Sequence, residues 1–189
     1  MQKNVDNFMP GMAVEVVDDY CCTNYASYVD KLTILDGAVE AVEYAKQLVG
    51  DNVYIITNCP RRITEDLIKS PKASKLINMF TNPKARKVAN DPSLRIICLN
   101  DHGVAIKDGK EVGIQLGAKP CPDMVVEAAR RLGVNSNECI LIGDSQYDMS
   151  AIEAAGGIGV GIKTSSGSIV LPSIKEIHHI GKFFTFQHA

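Results

Sequence analysis

Ala38, Ala41, Val42, Ala45, Leu48 and Val49 recur three and four residues apart, which predicts a helix with one apolar stripe. Before it, Ala13 to Val17 is a short apolar run broken only by Glu15 and ending in Asp18 and Asp19, the pattern of a buried strand that opens into a loop. After it, Val53 to Ile56 predicts a second strand closed by Thr57, Asn58, Cys59 and Pro60, where the proline stops an uninterrupted ladder. Arg62 to Lys69 reads as a helix limited by Pro71, and residues 72 to 93 as one short helix around Leu76 to Phe80 within polar linkers. Ile96 to Leu99 is a third buried strand. Val104 to Ile106 and Val112 to Ile114 flank Lys107-Asp108-Gly109-Lys110, a hairpin signal because Asp-Gly suits a tight turn.

Beyond the hairpin, Pro122 suits a first helical position, and Val125, Ala128, Ala129 and Leu132 form a stripe ending at Gly133. Cys139 to Ile142 is a fourth strand. A helix carrying Met149, Ile152 and Ala155 ends at Gly156-Gly157, and Gly159 to Ile162 is a fifth strand. Strands alternating with helices predict an α/β fold whose mainly parallel sheet is covered on both faces. Residues 1–12, with Pro10 and Gly11, read as an irregular lead-in to one domain spanning residues 1–189.

Composition narrows the function classes. Apolar residues make up 46% and charged residues 22%, ordinary for a folded chain, and the net charge of -2 is spread evenly, so no basic face is expected to track a nucleic-acid backbone. Cysteines 21, 22, 59, 98, 121 and 139 are scattered and form no CxxC, which argues against a disulfide framework or structural zinc. Cys98, His102 and Cys121 are the remaining soft metal set, weaker than their reading as core and loop thiols. No signal-like segment or apolar run of bilayer length is present, so the expected location is the cytoplasm, without a membrane partner.

In an open parallel sheet the ligand site lies beyond the carboxyl ends of the strands. The residues there are Asp18 and Asp19 after the first strand, Thr57 and Asn58 after the second, and Gly143, Asp144, Ser145 and Asp148 after the fourth; Lys119 opens the helix before that fourth strand. Carboxylates can hold Mg²⁺ through oxygen, a hydroxyl, loop amides and an ammonium can hold a phosphoryl group, and a carboxylate can be the nucleophile. Arg61 and Arg62 are placed to reach a substrate anion beside the Thr57 loop, although an arginine opening a surface helix is usually just solvated.

Lys119-Pro120-Cys121-Pro122-Asp123, about twenty residues before Leu141-Ile142-Gly143-Asp144-Ser145-Gln146-Tyr147-Asp148, closely resembles the third and fourth motifs of the haloacid dehalogenase-like hydrolases. Ile55-Ile56-Thr57-Asn58 resembles their second motif, and Asp36-Gly37 sits where the family often has Pro-Gly. The likeness runs from about residue 13 to the C-terminus, with Ile169 to Ile177 resembling the closing segment. It implies a Rossmann-like three-layer α/β/α sandwich and a Mg²⁺-dependent hydrolase of phosphate monoesters, acting through an aspartyl-phosphate on a small phosphorylated metabolite or a nucleotide. By that resemblance Thr57, with Asn58, Thr23 and Arg61 around it, would bind phosphate. Lys119 would neutralise charge, and Asp19, Asp144 and Asp148 would hold Mg²⁺.

The first motif departs from the family's Asp-x-Asp-x-Thr. With Asp19 as nucleophile, Thr23 falls in register and Cys21 replaces the acid; with Asp18, Tyr20 takes that place and the threonine is one residue late. Register favours Asp19. Only about a dozen residues separate this motif from the following helix, so a large helical cap has no room, and the hairpin within residues 100–118 is left as a flap. Two alternatives stay open: a relative that binds without efficient turnover, and a dehalogenase-type hydrolase suggested by Asp18-x-Tyr20. An open site also leaves room for a homo-oligomer.

Overall fold

The computed structural model describes Lys31, residues 33–80 and residues 95–183. The expected lead-in, the strand over residues 13–17, Asp18, Asp19 and Thr23 lie outside the described residues, as do the linkers over 81–94.

Helix α1 (Ala38–Val49) leads to strand β1 (Ile55–Pro60), helices α2 (Arg61–Lys69) and α3 (Ser74–Asn78), and strand β2 (Ile96–Leu99). The hairpin β3 (His102–Lys107) and β4 (Lys110–Gln115) follows. Then come α4 (Asp123–Leu132), β5 (Ile140–Gly143), α5 (Gln146–Ala154), β6 (Ile158–Ile162), β7 (Ile169–Leu171) and a 3-10 helix over Ile174–Lys182. β1 pairs parallel with β2, and β5, β6 and β7 are parallel in that order, whereas β3 and β4 form a separate antiparallel pair.

Side-chain alternation along the strands shows how the layers form. On β5, Ile140 and Ile142 pack with Ala41 and Tyr44 of α1 and with Ile177 and Ile180 of the 3-10 helix. Leu141 points the other way, into the cluster of Val125 from α4 and Ala151 and Ile152 from α5. The other parallel pair repeats the division: Ile55, Ile96 and Cys98 meet Val42 of α1 and Ile77 of α3, while Ile56 and Ile97 meet Met124 and Ala128 of α4. Thus α1 and α3 cover one face, α4 and α5 the other, and α1 spans both parallel sheets. Ile96, Ile97 and Cys98 are wholly buried. Each buried isoleucine contributes about 1.5–3 kcal/mol by its removal from water.

Two boundaries differ from expectation. β1 continues to Pro60, and the ladder accommodates the proline by a register shift between Thr57 and Pro60, so the missing N–H interrupts no regular pair. Pro122 caps α4 from just outside, and the helix ends at Gly133, whose φ of 71° turns the chain away.

Candidate active site

Lys119 connects the two parallel sheets. Its Nζ donates to the Ile56 carbonyl of β1 at 3.1 Å and to Asp148 Oδ1 in the first turn of α5 at 2.5 Å, and its side chain is only 11% exposed. Placing one ammonium against both elements brings the carboxyl ends of β1 and β5 to a common point. The Lys119–Pro120 peptide bond is cis.

Asp148 is held from its other side by the helix cap. Ser145 donates its N–H to Asp148 Oδ2 at 3.1 Å and its hydroxyl to the same oxygen at 2.5 Å, while Ser145 Oγ accepts the Asp148 N–H at 3.2 Å. This reciprocal box satisfies helix-end donors and fixes the carboxylate. Burial opposes ionisation of Asp148, but the Lys119 ammonium and the Ser145 donors outweigh it and keep the carboxyl below its ordinary range. Gly143 makes this packing possible: a Cβ there would lie 2.5 Å from Asp148 Cβ.

Around this pair, Thr57 is half-buried at the last regular ladder position of β1, before its register shift, and its Oγ1 accepts the Cys59 N–H at 3.0 Å. The hydroxyl proton therefore remains free to serve an anion. Asp144 is exposed at the end of β5. Asn58 is directed differently from expectation, with its amide meeting the main chain of Lys119 at both ends. Arg61 is committed inside the fold: Nε donates to Asp101 Oδ1 at 3.1 Å, and Nη2 donates to Asp101 Oδ2 and, at 3.0 Å, to the Ile96 carbonyl. An anion contact from Arg61 would come at the expense of that pair.

Sequence reasoning missed three supporting carboxylates. Asp123 Oδ2 accepts the Gly117 N–H at 2.9 Å, tying the approach to Lys119 onto α4. Asp101 holds Arg61 and also accepts the Cys98 N–H at 2.9 Å. Glu127, buried, gathers Arg130, Arg131 and the Val104 N–H, and so fastens the hairpin to α4. The spacing of Glu127 to Arg130 and Arg131 was the available signal, since residues three and four apart share a helix face.

The donor set suits a hard cation, because Asp144 and Asp148 offer carboxylate oxygens. Asp19, the third residue expected there, lies outside the described residues. Among the described residues no group of three or more His, Cys, Asp or Glu is placed to hold a metal ion, which also removes the set of Cys98, His102 and Cys121. Cys98, Cys121 and Cys139 are free thiols.

A family model, "haloacid dehalogenase-like hydrolase", matches residues 6–156, which include Thr57, Lys119, Asp144 and Asp148. The chain belongs to this family of hydrolases. A segment of 84 residues is 32% identical to a phosphoglycolate phosphatase from Methanoculleus marisnigri, covering 43% of this chain and 35% of that protein. Among solved structures, a hydrolase from Pseudomonas syringae matches with a TM-score of 0.65 at 20% identity, over 94% of this chain and 77% of the other. A family IA, variant 3 hydrolase from Entamoeba histolytica matches at 0.63 and 18%, over 93% and 73%. These likenesses establish the haloacid dehalogenase-like fold, with its Rossmann-like α/β architecture.

Proposed function

We propose that the protein is a Mg²⁺-dependent hydrolase of phosphate monoesters, acting on a small phosphorylated metabolite or a nucleotide through an aspartyl-phosphate on Asp19. The observation that carries this reading is the Lys119 ammonium, held between the Ile56 carbonyl and Asp148 at the carboxyl ends of β1 and β5. A fixed positive charge there, beside the Thr57 hydroxyl, suits an anion whose charge shifts during transfer. The family match and the partial likeness to a phosphoglycolate phosphatase support a phosphorylated substrate.

In this reading residues 1–189 form one domain with the β3–β4 hairpin as a flap. The Asp19 carboxylate attacks phosphorus, the ester P–O bond breaks and the alcohol departs; water then attacks the phosphoryl group, releasing phosphate and restoring Asp19. Thr57, with Thr23, donates to the phosphoryl oxygens, and Lys119 compensates their charge. Asp19, Asp144 and Asp148 would hold Mg²⁺, with Asp144 exposed and Asp148 buried. When bound, the ion offsets repulsion between the nucleophile and the phosphate. No helix among the described residues is long and apolar enough to cross a membrane. Free thiols accord with a cytoplasmic location.

Cys21 stands where the family has its acid-base aspartate, so leaving groups that depart without protonation are favoured. Turnover of p-nitrophenyl phosphate should therefore exceed that of alkyl phosphates and should vanish with EDTA. Activity insensitive to EDTA contradicts the metal-dependent reading. Phosphate binding with no turnover on any phosphomonoester favours the binding-only alternative that the missing acid suggests.

A further inference from the structure

The Lys119 ammonium is placed by a side chain from another element. Asn58 follows Thr57 on β1, and its Nδ2 donates to the Lys119 carbonyl at 3.1 Å while its Oδ1 accepts the Lys119 N–H at 2.8 Å. Two bonds running in opposite directions fix the orientation of the Lys119 backbone as well as its distance, much as a strand pairing does. The neighbouring ties lead elsewhere: the Leu116 N–H goes to the Asp101 carbonyl and the Gly117 N–H to Asp123. The Asn58 amide thus joins the Lys119 main chain to the strand that carries Thr57, and the Lys119 side chain returns to that same strand at Ile56.

We propose that Asn58 is a positioning residue for Lys119 rather than a phosphate ligand: its amide clamps the Lys119 backbone so that the ammonium is delivered between Ile56 and Asp148. A lysine stem has four rotatable carbons and high rotamer entropy, so an ammonium at its tip is well placed only if its Cα is fixed. Without the clamp, the loop can rotate and the Nζ position spreads over several ångströms. The charge is then present but badly aimed, which lowers the rate of the transfer step more than substrate affinity. The catalytic consequence rests on the charge role of Lys119 proposed above, whereas the clamp itself does not.

Two readouts separate these parts. The first is reductive methylation of the full-length protein, with the labelling rate of Lys119 read by peptide mass spectrometry, which needs no turnover. The second is steady-state hydrolysis of p-nitrophenyl phosphate with Mg²⁺ by wild type, Asn58→Ala, Asn58→Asp, Lys119→Met and Asn58→Ala/Lys119→Met. Asn58→Ala should raise Lys119 labelling about fivefold or more, with other lysines unchanged, and lower kcat about tenfold while KM stays within about twofold. Asn58→Asp, which keeps the acceptor for the Lys119 N–H, should fall between wild type and Asn58→Ala. In the Lys119→Met background, adding Asn58→Ala should change kcat by less than about twofold, because residues acting as a unit are not additive. Unchanged Lys119 labelling in Asn58→Ala, or its full kcat loss persisting in the Lys119→Met background, overturns the proposal. If labelling rises but Lys119→Met keeps wild-type turnover, the clamp stands and the catalytic role of Lys119 fails.

Discussion

Glu127 offers a perturbation whose size can be worked from its contacts. The side chain is buried beneath the β3–β4 hairpin, where Oε2 accepts from Arg130 Nε at 2.9 Å and from the Val104 N–H at 3.2 Å, and Oε1 accepts from Arg131 Nε at 2.6 Å. Burial opposes its ionisation, but the two guanidinium groups and the backbone N–H overcome that cost and lower its pKa to about 2, against an ordinary 4.5. At roughly 1.4 kcal/mol per pH unit this gap corresponds to about 3 kcal/mol. Arg130 is 44% exposed and screened by water, so about 2–3 kcal/mol is the expected share. Because the folded-state pKa is depressed, that stability is fully present above pH 4.5 and is lost as pH falls towards 2. Glu127→Gln should therefore cost about 2–3 kcal/mol at pH 7 in urea unfolding, with the difference from wild type shrinking below pH 4.5. Exchange of the Val104 amide should quicken at the same time. A cost below about 0.5 kcal/mol at pH 7, or one that does not change with pH, refutes the reasoning.

Three further outcomes follow from the site and its supports. Gly143→Ala should push Asp148 away from Lys119, with overpacking of about 1–3 kcal/mol visible as a lower unfolding midpoint; an unchanged midpoint shows that Asp148 can move freely. Asp144→Asn should weaken Mg²⁺ dependence of turnover while stability stays within about 0.5 kcal/mol, because the residue is exposed; wild-type dependence removes Asp144 from the site. Asp101→Ala should cost about 3–5 kcal/mol in urea unfolding by leaving the Arg61 guanidinium without its carboxylate, and a loss under about 1 kcal/mol contradicts that support role.

The layers were legible because apolar residues carry their period in the sequence. The α1 stripe predicted from its spacing is the face that packs, with Ala41, Val42 and Leu48 in the core, and the apolar run at Cys139 to Ile142 falls on strand β5. Pro60 concealed the end of β1, since a register shift is a property of two strands and is not written in either one. Within the site, the residue types and their order pointed to Thr57, Lys119, Asp144 and Asp148 as candidates, of which the structure pairs Lys119 with Asp148. The partners of Asn58 and Arg61 were hidden for a physical reason: one binds a main chain 61 residues away and the other a carboxylate 40 residues away, and local pattern encodes neither. Glu127 has no local mark in the sequence, because the hairpin strand that buries it lies 23 residues away.

The central claim is covalent phosphoryl transfer to the first motif, and it is tested most directly by trapping the intermediate. Enzyme turning over p-nitrophenyl phosphate with Mg²⁺ is quenched in acid, treated with borohydride to reduce any acyl phosphate, and mapped by peptide mass spectrometry. The account predicts reduction of Asp19 to homoserine, absent when EDTA is added before substrate. Reduction of Asp18 alone moves the nucleophile by one residue, and an unmodified first motif during sustained Mg²⁺-dependent turnover contradicts the aspartyl-phosphate route.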